Sequence, residues 1–366
     1  MAIISFLKVK VMANKVLVGI SGGVDSSVSA AILKDKGFEV TGAFMKNWED
    51  DDGTPYCSVK EDFFDAARVC DKLGIELIQL NFAKEYKEKV FEYFLNSLKN
   101  GKTPNPDIFC NKFIKFDAFF DYAIKNNFDQ IATGHYCQIE QKDSSYLLKK
   151  SYDQSKDQTY FLNDIKKEVL NKCLFPIGDI EKSQVRELAK SRDLVTYDKK
   201  DSTGICFIGE RPFPEFISNY LPVRKGNIYD ENQNLIGEHN GVYFYTLGQR
   251  QGLGIGGIKG SQEQPWYVAA KDNQKNSLTV VQDNNHPLLL KSELTVKKIN
   301  WLVETIPNLK DITAKIRYRQ KEQTCSLKVT ANGWSVEFDV PQRAITPGQS
   351  VVFYSGDICL GGGEIE

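Results

Sequence analysis

The chain predicts an α/β fold: a doubly wound parallel sheet carrying a nucleotide-binding domain, then a small glycine-rich central domain and a C-terminal antiparallel β-barrel. Three observations predict it. A nearly continuous apolar run, 15–20, leads into the glycine turn Ser21-Gly22-Gly23-Val24-Asp25-Ser26-Ser27 and then into a stretch without Pro or Gly, 28–36. Segments of strand length then alternate with helical periods as far as Tyr136, as right-handed βαβ units require. From about Ser277 onward, short strand-like segments follow one another between turn residues, the pattern of a small barrel. The expected divisions are an N-terminal extension at 1–11, with Met12 a candidate start, a catalytic domain at 12–210, a central domain at 211–275 and the barrel at 276–366.

The elements follow in order. The run 15–20 reads as a strand buried on both faces of a parallel sheet. The helix 28–36 stops at Gly37. Glu39 to Lys46 is the second strand, and 49–53 is an acidic loop. Asp62 to Leu73 has apolar positions near a helical period and ends at Gly74. Ile75 to Leu80 is a strand, and Lys84 to Lys99 an amphipathic helix. Pro104 and Pro106 set an extended loop over 100–111, before a helix from Lys112 to Lys125. Asp129 to Tyr136 is a strand, 138–149 a hairpin, and 156–170 and 183–191 are helices, the second with Ser183 as N-cap. The barrel strands are expected at 277–281, 294–301, 313–319, 324–330, 335–340 and 350–354.

Ligands of such sheets bind beyond the carboxyl ends of the strands, where the glycine turn lies. Gly22 and Gly23 let an anion approach the backbone. The N–H groups at the helix start, with the hydroxyls of Ser21, Ser26 and Ser27, form a cradle for it. A kinase-type phosphate loop needs Gly-Lys-Ser/Thr, and this one has no lysine. It has Asp25 instead, and an aspartate beside phosphates makes sense with Mg²⁺ between them. The glycines at 252, 254 and 257 also spell GxGxxG, but no helical stretch follows, so a dinucleotide site is rejected there.

The composition is that of a globular chain, 41% hydrophobic and 26% charged. A net charge of −1 means that a nucleic-acid partner must meet a local basic face. One is available: 288–330 holds nine Lys/Arg against four Asp/Glu and includes Arg317-Tyr318-Arg319, cations flanking an aromatic. A solvated strand of alternating charge would look the same. No run approaches the roughly 20 apolar residues of a membrane span, and the N-terminus lacks a signal-peptide pattern, which leads us to expect a cytoplasmic protein. None of the eight cysteines forms CxxC, which argues against a zinc knuckle.

Two cysteines stand out by context. Cys110 lies three residues after Asp107, just before the expected helix 112–125, whose N-terminus would favour a thiolate. Cys206 lies in the polar segment 201–207 between the helices and the second domain. Asp107, if charged, would raise a neighbouring thiol's pKa, so it is assigned proton transfer. His135 is assigned a pocket-shaping role. On these residues alone, an enzyme that adenylates a small molecule, a nucleotide sensor without turnover and an RNA-binding module all stay open.

The glycine turn resembles the pyrophosphatase loop of the N-type ATP pyrophosphatases. Together with Phe44-Met45-Lys46-Asn47-Trp48, Asn105-Pro106-Asp107-Ile108-Phe109-Cys110-Asn111, Thr133-Gly134-His135-Tyr136, Lys156-Asp157-Gln158, the 202–209 segment STGICFIG and Tyr245-Thr246-Leu247-Gly248-Gln249-Arg250, it resembles the bacterial tRNA-specific 2-thiouridylases. The resemblance keeps the order of these motifs and spans the chain from Lys15. It implies ATP with Mg²⁺ bound at Gly19, Ile20, Ser21, Gly22, Gly23, Val24, Asp25 and Ser26, with Met45 and Gly134 lining the adenosine pocket. It implies contacts of Asn105, Pro106 and Asp107 with the flipped wobble uridine of glutamate, glutamine or lysine tRNA. Further tRNA contacts fall at Lys156, Asp157, Gln158, Arg317 and Tyr318. It also implies adenylation of the 2-carbonyl, then sulfur transfer from a Cys206 persulfide charged by a relay protein, with Cys110 as its partner. On that basis Arg317→Ala is expected to weaken tRNA binding and flatten its salt dependence.

Overall fold

A computed structural model describes residues 14–49, 59–201, 212–255 and 264–366. The N-terminal domain is the expected parallel sheet. Its strands are β1 (Lys15–Gly19), β2 (Glu39–Lys46), β3 (Glu76–Asn81) and β4 (Gln130–Ala132), then the hairpin β5 (Cys137–Lys142) and β6 (Ser145–Lys150), and β7 (Cys173–Leu174). The sheet order is β3-β2-β1-β4-β7, every pair parallel. Period-2 alternation sends Leu17 of β1 into one core and Val16 and Val18 into the other, and all three are fully buried. Helices Val24–Asp35, Val59–Leu73 and Lys182–Ser191 cover the face of Val16 and Val18. The helical stretches 83–99 and 106–125 cover the face of Leu17.

Several sequence expectations are corrected. The first helix begins at Val24, not at Val28, so Asp25, Ser26 and Ser27 occupy its first turn. The strand expected over 129–136 ends at Ala132, which releases 133–136 toward the glycine turn. The segment 156–170 forms two 3-10 turns, Thr159–Leu162 and Lys167–Lys172, in place of a helix. There Asp157 accepts from the backbone N–H groups of Ser151 and Thr159, and Asn163 donates to Tyr160 O; such local bonds compete with a helix. Glu181, not Ser183, caps the helix Lys182–Ser191, in a reciprocal capping box with Gln184.

The largest correction concerns 100–111. Asn105 is an N-cap whose Oδ1 accepts from Asp107 N at 3.0 Å, and Pro106 takes the first helical position. Pro fits there because its missing N–H has no partner to lose. The helical path runs from Pro106 to Lys125 through a π-type stretch, Asn111–Ala118, with a break at Phe116. Cys110 is therefore inside a helix and fully buried, not poised before a helix N-terminus.

The central domain has strands β8 (Gly226–Tyr229), β9 (Leu235–His239), β10 (Trp266–Asp272) and β11 (Ser277–Gln282), ordered β10-β11-β8-β9. β11, read from sequence as the head of the barrel, pairs with β10 and β8 in this central sheet. The helix Phe213–Ser218 and the residues after it seat Phe216 and Tyr220 against Trp48 and Phe91 of the first domain. The C-terminal sheet comprises β12 (Leu290–Val296), β13 (Asn300–Trp301), β14 (Ile312–Lys315), β15 (Gln323–Thr330), β16 (Gly333–Arg343), β17 (Ser350–Ser355) and β18 (Ile358–Glu364). Its order is β12-β16-β15-β14-β17-β18-β6-β5, with β13 on β18. The N-terminal hairpin β5–β6 thus completes the C-terminal sheet, a long-range pairing with no local signal in sequence.

Candidate active site

The sheet order reverses at β1, with β2 on one side and β4 on the other, so a crevice opens beyond their carboxyl ends. Residues 20–27 and 133–136 meet there. Gly22 has φ +75°, and a side chain on it would run into the backbone of Asp62. Ser26 Oγ accepts from Ser21 N at 3.1 Å and donates to Gly23 O, and Ser27 Oγ also donates to Gly23 O, at 2.8 Å. These bonds hold the turn rigid, and no side chain caps the helix that starts at Val24. Its first N–H groups carry the positive end of the helix dipole.

Gly134 lies against this helix start. A Cβ on it would stand 2.7 Å from Ser26 N and 2.8 Å from the Asp25 carbonyl carbon. Gly134→Ala is therefore expected to displace the anion cradle and weaken ATP binding by about 100-fold or more, read by calorimetry, with the melting temperature as a control for folding. Met45 closes the other side, since a Cβ on Gly19 would lie 3.2 Å from Met45 Cε.

Asp25 is not an isolated carboxylate. Its Oδ1 accepts from Tyr136 Oη at 2.8 Å, and Lys182 Nζ reaches both oxygens at 2.7 and 2.8 Å. Lys182 also bonds Asp201 at 2.8 Å, and Asp201 takes Lys156 at 2.9 Å and Arg186 at 3.0 Å. The backbone N–H of Lys182 donates to Asp153, which fixes the start of its helix. Burial opposes ionisation of Asp201, but the bonds from Lys182 and Lys156 outweigh it and hold the carboxyl at about 2.

Because that folded value lies below the ordinary one near 3.9, the stability Asp201 contributes is full above about pH 4 and disappears as pH falls toward 2. The melting-temperature gap between wild type and Asp201→Asn should be constant from pH 7 to 4 and close below that. A gap that widens on acidification would overturn the assignment.

Asp107 and Asn105 sit at the start of the helical path 106–125. That path leads back to the amino end of β4, so it starts on the carboxyl side of the sheet. His135 is buried, and burial, then the charge of Lys115, keeps its pKa well below the ordinary imidazole value. Its Nδ1 pairs with Thr133 Oγ1 at 2.8 Å, so it is a neutral, fixed ring at neutral pH.

The expected tRNA-contact residues all have partners within the protein. Gln158 Oε1 accepts from Tyr136 N at 2.9 Å, Lys156 pairs with Asp201, and buried Asp157 lies 3.7 Å from Lys315 of β14. The Tyr318 ring packs 4.4 Å from Phe161. Arg317 is half-buried, and its Nη2 donates to Leu247 O, Ala344 O and Thr346 Oγ1 at 2.9–3.3 Å. Cys206 and its neighbours at 202–211 lie outside the described residues; Asp201, anchored by three cations, is the last described residue before them. Sequence reasoning missed Lys182 and Arg186. They sit 157 and 161 residues from Asp25, in an ordinary charged helix, and only the fold carries them to the phosphate loop.

Among the described residues, no group of three or more His, Cys, Asp or Glu could hold a metal, and no helix is long and apolar enough to cross a membrane. The Asp25 carboxylate beside the anion cradle is already engaged by Lys182 and Tyr136, which suits an ion held chiefly by phosphates, not a protein cage.

A HUP-type α/β domain whose glycine turn meets the switch point, joined to a PRC-barrel domain and a β-barrel, defines a class of tRNA-modifying enzymes. Residues 14–210 match the family model described as the tRNA methyl transferase HUP domain, 214–282 its PRC-barrel domain, and 291–365 the aminomethyltransferase beta-barrel domain. The tRNA-specific 2-thiouridylase MnmA of Francisella tularensis subsp. tularensis (strain WY96-3418) is 57% identical over 355 residues, covering 96% of this chain and 99% of that protein. Its counterpart in Francisella philomiragia is 56% identical over the same length. Among solved structures, a 4-thiouridine synthetase–RNA complex with bound ATP overlaps partially, with a TM-score of 0.35, 15% identity and coverage of 56% of this chain and 49% of that one. The chain belongs to the tRNA-specific 2-thiouridylase family. It is an enzyme, a sulfurtransferase acting on tRNA.

Proposed function

We propose that this enzyme adenylates the 2-carbonyl of the wobble uridine of glutamate, glutamine or lysine tRNA and replaces its oxygen with sulfur, releasing AMP and pyrophosphate. The observation that carries this reading is the anion cradle at the carboxyl edge of the sheet with the Asp25–Lys182 pair at its rim, in a chain of this family whose later helical path starts with Asn105, Asp107 and Cys110.

The cradle N–H groups and the Ser21 hydroxyl receive the phosphates, the Ser26 hydroxyl joins them by turning from Gly23 O, and Gly19, Ile20, Gly22, Gly23 and Val24 supply backbone. Lys182 can supply the cation that the loop itself lacks. Mg²⁺ travels with ATP, near Asp25, and neutralises phosphate charge. Met45 and Gly134 wall the adenosine side. The tRNA lies across Lys156–Gln158 and Tyr318, and its target base is flipped out, since a stacked base cannot be reached. Asn105 and Pro106 seat that base, and Asp107 moves the proton.

A carbonyl oxygen is a poor leaving group, and an adenylate is a good one. Cys206 arrives as a persulfide, charged by a relay protein. Either its terminal sulfur attacks C2 and displaces AMP, after which Cys110 attacks Cys206 Sγ, forming the Cys110–Cys206 disulfide and freeing 2-thiouridine, or the Cys110 thiolate attacks the inner sulfur first. The latter forms a Cys110–Cys206 disulfide and expels hydrosulfide, which attacks C2 and displaces AMP. The disulfide is then returned to two thiols by an external thiol reductant. This chemistry suits a reducing cytoplasm.

The test is nucleoside mass spectrometry of an unmodified tRNA incubated with the protein, Mg²⁺-ATP and a persulfide source. We expect 2-thiouridine and AMP in equal amounts, both dependent on tRNA. AMP formed at the same rate without tRNA would favour a small-molecule adenylating enzyme, and ATP binding with neither product would favour a sensor.

A further inference from the structure

The residues that present the target-base loop are held by the C-terminal barrel. Thr103 lies two positions before the N-cap Asn105. Its N–H donates to Pro347 O at 2.8 Å, and its carbonyl accepts from Gln349 Nε2 at 2.7 Å. Gly348, with φ +91°, presses on the same residue: a Cβ there would lie 2.9 Å from Thr103 N and 3.0 Å from Lys102 Cβ. Lys102 Nζ pairs with Glu364 Oε1 at 2.5 Å, at the end of β18, and Tyr93 Oη donates to Glu364 Oε2. The Tyr93 ring in turn packs 4.4 Å from Phe109, the neighbour of Cys110. The turn 344–349 is itself pinned. Arg317 Nη2 donates to Ala344 O and Thr346 Oγ1, and Thr346 Oγ1 donates to Ala344 O.

We propose that Arg317, Gly348 and Glu364 are positioning residues: through the turn 344–349 and the end of β18, they set the loop 102–107 that offers Asn105, Pro106 and Asp107 to the target base. A continuous set of bonds and contacts runs from Arg317 to Thr103 and from Glu364 to Phe109. Arg317 then acts on the reaction through its carbonyl acceptors inside the protein, and not chiefly as a phosphate contact. All three of its bonds come from the single nitrogen Nη2, which the rigid planar guanidinium holds at a reach and angle that an ammonium on a flexible stem does not keep. Near-attack geometry is sensitive to shifts of about 1 Å, for which losses of roughly 100-fold are ordinary. The inference rests on the thiolation reading above and names which residues hold its base-binding loop in register.

The experiment uses the full chain with tRNA, Mg²⁺-ATP and a persulfide source, comparing wild type with Gly348→Ala and Arg317→Lys. Neither substitution changes the net charge, so loss of a phosphate contact cannot mimic the effect of Gly348→Ala. We expect kcat for 2-thiouridine to fall about tenfold or more, with the tRNA Kd and its salt slope within about twofold of wild type. We also expect AMP released per 2-thiouridine to rise above one, because a badly placed adenylate is lost to water; a purely structural defect would lower both products together. Should Gly348→Ala fail to fold, Glu364→Gln, which removes the charge pairing with Lys102, takes its place with the same expected rise. Unchanged kcat and AMP ratio in the variants overturns the proposal. So does a loss of tRNA affinity and salt slope in Arg317→Lys at the wild-type AMP ratio, which would make Arg317 a phosphate contact. Wild type that forms no 2-thiouridine sinks the functional reading itself; active wild type with unaffected variants sinks this inference alone.

Discussion

In reactions with Cys206→Ser, AMP should still form while 2-thiouridine falls at least about 1,000-fold, below detection. A serine oxygen cannot carry sulfane sulfur. Adenylation uses a different part of the site, the cradle 20–27 with Asp25, so it should survive. Cys110→Ser separates the two sulfur routes. If hydrosulfide is released by Cys110, the variant accumulates adenylated tRNA and Cys206 persulfide and makes no product. If the persulfide attacks directly, the variant still releases AMP but stops as a tRNA–Cys206 disulfide adduct, from which an added thiol reductant frees one 2-thiouridine. Cys110 sits at the fifth position of a helical path and is fully buried, so serine fits by size but buries a hydroxyl, and the melting temperature is read alongside. A rapid-quench measurement of one turnover, with iodoacetamide trapping of the persulfide, reads the difference. Full 2-thiouridine yield from Cys206→Ser would remove that residue from the mechanism.

Lys182→Met should lower the rate of AMP formation at saturating ATP by about 100- to 1,000-fold, the range for removing one preorganised donor from developing charge. The phosphate loop contains no lysine, and Lys182 Nζ is the cation that contacts Asp25 at its rim. Its charge is shared between Asp25 and Asp201, which hold it in place at the rim of the cradle. Methionine keeps the stem and removes the charge. The substitution also leaves Asp25 with Tyr136 as its remaining partner, so the melting temperature must be read alongside. Asp201→Asn is the control: it loosens Lys182 without removing it and should cost adenylation far less. Equal losses in the two variants, or a loss below about fivefold in Lys182→Met, would reduce Lys182 to a structural ion-pair partner. tRNA affinity should stay within about twofold in both.

Much of the first domain was legible because its signals are local. The run 15–20, the glycine pair and the strand 39–46 are readable from hydrophobic period and turn chemistry, and β2 occupies the expected residues. The order of motifs was equally legible, and it named the family. Local reading failed where two rules compete for the same residues. Pro106 reads as part of an extended loop, yet after an Asn N-cap it starts a helix. The stretch 156–170 has helical spacing, but the Asp157 and Asn163 side chains bond the nearby backbone and turn it into 3-10 pieces. β11 looked like the first strand of the barrel because a strand's own pattern does not say which sheet it joins.

By itself, then, the sequence determined the α/β class, the anion cradle at 20–27 and the two cysteines worth testing. All of these rest on interactions within a few residues of one another. Only the tertiary structure decided that Lys182 meets Asp25 across 157 residues, that Cys110 is inside a helix, and that β5–β6 closes the C-terminal sheet. It alone showed Arg317 holding the turn that grips Thr103. The physical reason is the same in each case: an ion pair or a carbonyl acceptor is chosen by position in space, and one charged residue in a surface helix looks like any other until the chain has folded around it.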